Sequence, residues 1–221
     1  MSEAEFWEAI QQGDRPAVEA LLERSPELAG ARVGPGLSPA LLALYYNEPE
    51  IAGLLVGRDP HVDVFTAAAC GLADRLETLL SAQPDLANAV AGDGFQPLGL
   101  AAFFGQEAAV RTLLAHGARV DAPSHNPMRV MPLHSSVAHR HLDISRLLLE
   151  AGAPVNATQA DDFTPLHEAA QNGQVAMLQL LLAYGADLAA RKSDGKTPLM
   201  LAEEHGQADA AAFLRAAGAP A

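Results

Sequence analysis

Short apolar runs at helical spacing recur along the chain, each closed by a glycine. In MLQLLLAYG (Met177 to Gly185), Leu178, Leu181 and Leu182 fall on one helical face, and ISRLLLEAG (Ile144 to Gly152) and VRTLLAHG (Val110 to Gly117) repeat the arrangement. Ahead of such a run lies a second, narrower apolar face, carried by Leu166 with Ala169 or by Leu199 with Ala202. The small alanines leave room for a neighbouring helix to approach closely. The pattern predicts an all-α chain of short paired helices stopped by glycine, which adopts a left-handed turn with little strain.

The pairs themselves repeat. FTPLHEAAQNG (Phe163 to Gly173) aligns with KTPLMLAEEHG (Lys196 to Gly206), with Pro165 and Pro198 33 residues apart. MPLHSSVAHR (Met131 to Arg140) places Pro132 33 residues before Pro165, and FQPLGLAAFFG (Phe95 to Gly105) places Pro97 35 before Pro132. SPALLALYYN (Ser38 to Asn47) is a further copy, while VFTAAACG (Val64 to Gly71) and FWEAIQQGD (Phe6 to Asp14) are worn ones. Thr164 and Thr197 fall where a hydroxyl caps free N–H groups, and Pro165 and Pro198 fall at the first helical position, where no N–H is missed.

The 33-residue period and the TPLH segment resemble the ankyrin-repeat family, over residues 4 to 218 in seven units. The resemblance implies a solenoid of stacked antiparallel helix pairs with short hairpin-like fingers. It implies one domain over 1–221, with units at about 1–36, 37–61, 62–94, 95–129, 130–162, 163–195 and 196–221. Stability in such a stack comes from neighbouring units. The end units are expected to be caps, since Glu3, Glu5, Glu8, Asp14, Glu19 and Glu23 crowd the first and Glu203, Glu204 and Asp209 the last. His134 and His167 match the family's helix histidine, a hydrogen-bonding residue between repeats. Asn88 and Asn156 match positions that are hydroxylated in some relatives.

Three segments depart from the pattern. Asn47 and Gly71 are 24 residues apart, against 34 from Gly71 to Gly105, so about nine residues are missing and one finger is expected to be absent. Asp121 to Val130 is slightly long and carries two prolines, which predicts an irregular finger. Ser25 to Pro39 places proline and glycine where a regular hairpin would lie.

Composition narrows the function. The chain has 221 residues, 49% hydrophobic, with a single cysteine, which excludes a disulfide scaffold and a multi-cysteine zinc site. Its 27 acidic residues against 14 basic ones, a formal charge of -13, disfavour nucleic acid and anionic membranes as general partners. No apolar run approaches the roughly 20 residues of a membrane helix. The start, MSEAEFWEAIQQGD, lacks the basic and apolar stretches of a secretion signal, so a cytoplasmic address is expected. No phosphate-cradling glycine loop is present, and nothing near Cys70 supplies an orienting group or an oxyanion hole. Among His125, His134, His139 and His141, no second group completes a metal ligand set. No catalytic, metal or cofactor residue is assigned.

A non-enzymatic protein–protein interaction module is therefore expected. The resemblance implies that a protein or peptide partner docks in the concave groove, and that the two residues before each helix-ending glycine point into it. These pairs include Tyr45 and Tyr46, Phe103 and Phe104, and Ala138 and His139. Aromatic side chains favour binding because they bury much area with few rotors. Between Arg111 and Arg146, five arginines face two aspartates, a local charge of +3. The candidate partner-binding set is Tyr45, Tyr46, Phe103, Phe104, Met128, Arg129, His139, Arg140 and Phe163, an apolar strip with a basic patch suited to an acidic peptide. The alternatives are that the rings pack into the adjacent repeat and that the arginines pair with nearby carboxylates. A second functional reading is a stoichiometric inhibitor or immunity-type regulator of an enzyme, acting through the acidic caps. A monomer is expected, with self-association through the apolar strip as the other outcome.

Overall fold

The computed structural model describes residues 3–34 and 36–220. Fourteen α-helices lie among them, in seven consecutive pairs. The first helix of each pair is α1 (Glu3–Gln11), α3 (Pro39–Tyr45), α5 (Val64–Ala69), α7 (Pro97–Phe103), α9 (Pro132–Ala138), α11 (Pro165–Gln171) and α13 (Pro198–Glu204). The second is α2 (Arg15–Arg24), α4 (Pro49–Arg58), α6 (Ala73–Ala82), α8 (Glu107–Ala115), α10 (Leu142–Glu150), α12 (Val175–Ala183) and α14 (Ala208–Ala216). The first helices, here called inner, pack on one another in sequence order. The outer helices do likewise, except that α4 and α6 make little contact.

The local signals act where the sequence puts them. Thr164 Oγ1 accepts from the His167 amide at 3.4 Å, and Thr197 Oγ1 from that of Met200 at 3.3 Å, each with proline opening the helix. Gly173 and Gly206 close their helices at φ 67° and 68°. At the equivalent turns Asn47 (φ 62°) and Arg140 (φ 64°) take the same left-handed conformation without being glycine.

Fingers precede α3, α7, α9, α11 and α13. Four share one backbone turn: the amides of Ala91, Gln159 and Lys192 donate to the carbonyls of Phe95, Phe163 and Lys196, and Val33 donates to Leu37 in the same way. Val33 and Leu37 thus pair across the first finger as in those three, with Gly34 and Gly36 at positive φ; Pro35 lies outside the described residues. Between α4 and α5 only residues 59–63 intervene, and no finger forms. Asp63 caps α5 by accepting the Thr66 amide at 2.7 Å, and Arg32 of the first finger reaches it at 3.1 Å.

The long finger at 121–130 is irregular, as its prolines imply, but it is tied on both sides. His125 N–H donates to the Gly94 carbonyl at 2.7 Å, and the Met128 carbonyl accepts from Ala160 at 3.0 Å. Within it, Asn126 Oδ1 accepts from Ser124 Oγ and from the Met128 amide, and Arg129 adopts φ 52°.

Candidate functional site

The pair before the helix-ending glycine of the third unit is small: Ala69 is buried and Cys70 half-buried. That leaves room above α5, and rings from the second and fourth units meet across it. Tyr45 at the end of α3 lies 6.1 Å from Phe103 and 5.4 Å from Phe104 between ring centroids, and the two phenylalanines are 4.8 Å apart. These separations and tilts suit the ring quadrupoles. Phe104 rests on the small apolar cluster of Leu41, Ala69 and Leu100. The row continues through His139, 3.9 Å from Phe103, to His141, stacked 6.2 Å beyond.

Asp93, in the turn before α7, fixes the tyrosine. Tyr45 Oη donates to Asp93 Oδ2 at 2.8 Å, while Oδ1 accepts the Phe95 amide at 3.0 Å. Burial of the hydroxyl end, then the Asp93 carboxylate, raises the phenol pKa, so Tyr45 remains a donor. The flank of its ring is still open, at 37% exposure, and the neighbouring Tyr46 is 45% exposed. Phe103 and Phe104 are half-buried. Near His139 lies Glu168, whose pKa burial raises and whose Oε1 accepts from Asn172 Nδ2 at 2.7 Å.

The other candidates divide. Met128, on the tip of the long finger, is the most exposed of the large apolar side chains among the described residues, at 53%. Beside it Arg129 is exposed, with no carboxylate within 4 Å among the described residues. Phe163 is placed differently from the expectation. It is 9% exposed, with its ring 5.6 Å from that of His167 and Lys192 Nζ 5.4 Å from the ring centre. An apolar strip therefore does not extend to it.

Arg140 stands in the place of the helix-ending glycine rather than on the inner helix, and its guanidinium donates to the Asn172 carbonyl of the next unit at 2.8 Å. Of the five arginines in the basic stretch, Arg111 pairs with Glu107 at 2.8 Å and Arg119 with Asp121 at 3.2 Å. Both pairs are exposed, and such pairs contribute little.

The histidines and asparagines have structural partners. Nδ1 of His134 and of His167 accepts an amide at the start of its own helix. The Nε2 atoms face the Ala157 and Lys196 carbonyls, at 3.1 and 3.2 Å. Burial lowers the pKa of both, that of His134 to about 4. His139 Nδ1 faces the Ser135 carbonyl and His141 Nε2 that of Phe103, so these rings already engage the backbone. Asn88 and Asn156 each bridge to the next unit, donating to Gly117 and Gly185 and accepting from Arg119 and Asp187. Burial pushes the Cys70 thiol up to about 11, away from the thiolate that a nucleophile needs.

Asp93 and Glu168 are the site residues that sequence reasoning passed over. Asp93 has a signal in Asp-Gly, a turn dipeptide just ahead of the unit that carries Phe103 and Phe104. Glu168 has none, because its burial depends on packing between units.

Residues 64–159 and 155–220 match the family described as ankyrin repeats (3 copies). The chain belongs to the ankyrin-repeat family, whose repeats are generally protein–protein interaction modules and typically not enzymes. No curated protein matches the chain as a whole or in part. No helix among the described residues is long and apolar enough to cross a membrane.

Proposed function

We propose that residues 1–221 act as a single cytoplasmic, non-enzymatic binding module, which docks a partner protein or peptide on the face formed by the inner helices and fingers. Its anchor is the ring row Tyr45, Phe104, Phe103 and His139, extended by Tyr46, with Met128 and Arg129 on the finger tip. The observation that carries this reading is the mutual support of the rings. Tyr45 is held by Asp93 and by two phenylalanines, yet Tyr45 and Tyr46 keep more than a third of their surface open. A preorganised aromatic surface loses little entropy on association.

Arg140 and Phe163 are left out of the anchor, the first because it serves the turn of the next unit and the second because it is buried. The reading through acidic caps gains less support. Glu203 already holds Arg215 and Glu204 holds Lys196, both at 2.6 Å.

The test uses a partner captured from the native cell and then purified. Tyr46 makes no ring contact among the described residues, so Tyr46→Ala should leave the melting temperature within about 2 °C of the parent. Its affinity for the partner should fall by roughly tenfold or more, the behaviour of an interface hot spot. Unchanged affinity for Tyr46→Ala and for Met128→Ala would remove the groove reading. Loss only on neutralising Glu3, Glu5 and Glu8 would favour the caps.

A further inference from the structure

Neighbouring fingers are joined by a recurring backbone bond. The amide of the second residue in a finger donates to a carbonyl near the tip of the finger before it: His125 to Gly94 at 2.7 Å, Ala160 to Met128 at 3.0 Å, and Ser193 to Asp161 at 3.0 Å. Gly92 holds that position in the finger Ala91–Phe95, but the finger that should precede it is the missing one. Its N–H has no acceptor among the described residues, and Gly92 is exposed. Every other finger with a predecessor in the row has this donor filled, so the vacancy follows from the shortened connection at residues 59–63.

A recess of about 110 Å³ lies beside this donor, walled by Leu37, Leu41, Phe65 and Val90 and bordered by Gly92 and Asp63. By volume, against the roughly 150 Å³ that takes benzene, this open recess, whose lining also includes Ser38 and Asp63, has room for a branched aliphatic side chain and not for an indole. Two carboxylates border it, Asp63 in its lining and Asp93 next to Gly92 in the chain. The nearest cation from the first finger, Arg32, is already engaged by Asp63.

We infer that the notch is a docking point for an extended, basic segment of a partner protein. One backbone carbonyl of that segment accepts the Gly92 N–H, and the adjoining aliphatic side chain fills the recess, so the partner supplies what the absent finger would have given. Lysine or arginine on either side of the aliphatic residue meets Asp63 and Asp93. Recognition of this kind draws affinity from the backbone bond and specificity from the pocket, as in strand addition at a sheet edge. The inference does not rest on the aromatic groove, although Asp93 lies between the two places.

Three capped peptides test it against the full-length ¹⁵N-labelled protein in low salt: Lys-Lys-Leu-Lys-Lys, the same peptide with alanine at the centre, and Glu-Glu-Leu-Glu-Glu. The leucine peptide should shift the Gly92 amide proton downfield and perturb Leu37, Phe65 and Val90. It should bind roughly tenfold more tightly than the alanine peptide, the effect of burying one aliphatic side chain, while the acidic peptide should not bind. Val90→Lys adds a like charge to the apolar wall and should weaken the leucine peptide by about the same factor, with the melting temperature retained as a check of folding. Tyr46→Ala should leave peptide binding unchanged, which separates failure here from failure of the groove. Equal binding of the leucine and alanine peptides, shifts confined to the acidic ends of the stack, or indifference to Val90→Lys would each overturn the inference.

Discussion

His134 is 2% exposed, and its two ring nitrogens have opposite duties. Nδ1 accepts from the Met131 amide, so the proton of the neutral ring is assigned to Nε2, which donates to the Ala157 carbonyl in the next finger. Burial disfavours a charged ring, outweighing the carbonyl at Nε2 that favours it, and a second proton on Nδ1 would also face an N–H. The pKa accordingly falls from 6.5 to about 4. Between those values the unfolded chain binds a proton that the folded chain does not, so stability is full above pH 6.5 and is lost as pH falls towards 4. The single group is worth roughly 3 kcal/mol across that window, and the lowered pKa of His167 acts in the same direction. Urea unfolding at pH 7.5 and pH 5.0 should show the drop, and His134→Gln should be less stable at pH 7.5 but lose less on acidification. An unchanged difference between the two pH values would show that His134 is not the source. The bridging role was legible in TPLH and its copies because a family pattern carries it. The depth of burial was not, since it depends on the next unit closing over the ring.

At the scale of the helix–turn–helix element, the turn glycines have a second role besides the left-handed backbone. A side chain from the next unit covers several of them: a Cβ added to Gly71 would meet Gln106, one at Gly105 would meet His141, and one at Gly173 would meet Gln207. Gly206 has the same backbone, φ 68° against 67° for Gly173, but nothing lies within 4 Å of its Cβ position. The two glycines thus separate backbone strain from cover. Gly206→Ala should destabilise by about 1 kcal/mol, the left-handed penalty partly offset by a stiffer unfolded chain. Gly173→Ala should lose about 1 kcal/mol more, because the end of Gln207 must move aside. Denaturant midpoints measure both, and equal losses would mean that the cover contributes nothing. These glycines were readable from spacing alone. Arg140 at the equivalent turn was read as a groove residue because its charge drew attention before its position did. Its neighbour in the covering position, Gln174, is 8% exposed and donates to the Val137 carbonyl at 2.8 Å.

Across the whole molecule, the core forms two large clusters that meet at the missing finger, bridged there by the small cluster of Leu41, Ala69 and Leu100. One apolar cluster joins Phe6, Ile10, Val18, Leu22, Ile51 and Leu55 in the first two units, and another runs from Val62 to Leu214 through the remaining five. Fewer links cross between them. Ser38 Oγ and Thr66 Oγ1 share a buried hydrogen bond at 2.7 Å, Arg32 meets Asp63, and Tyr45 reaches over α5 to Phe104 and Asp93. The sequence showed the gap as a short spacing, but not the span of rings above it, because that span joins units that are not neighbours in the chain. In a stack stabilised by its nearest neighbours, a weak interface lets the segments on either side unfold separately. Trp7, the only tryptophan, packs against the smaller cluster with its ring 5.2 Å from that of Phe6, so its fluorescence reports the first two units. Far-UV circular dichroism reports all the helices. In urea the fluorescence transition should precede the dichroism transition. Ser38→Ala, which removes a buried hydrogen bond worth about 1 kcal/mol, and Phe104→Ala, which removes about 2 kcal/mol of half-buried contact, should widen the separation. Coincident transitions in the parent and in both variants would mean that the ring span and the Ser38–Thr66 bond hold the two segments together as strongly as an ordinary pair of repeats.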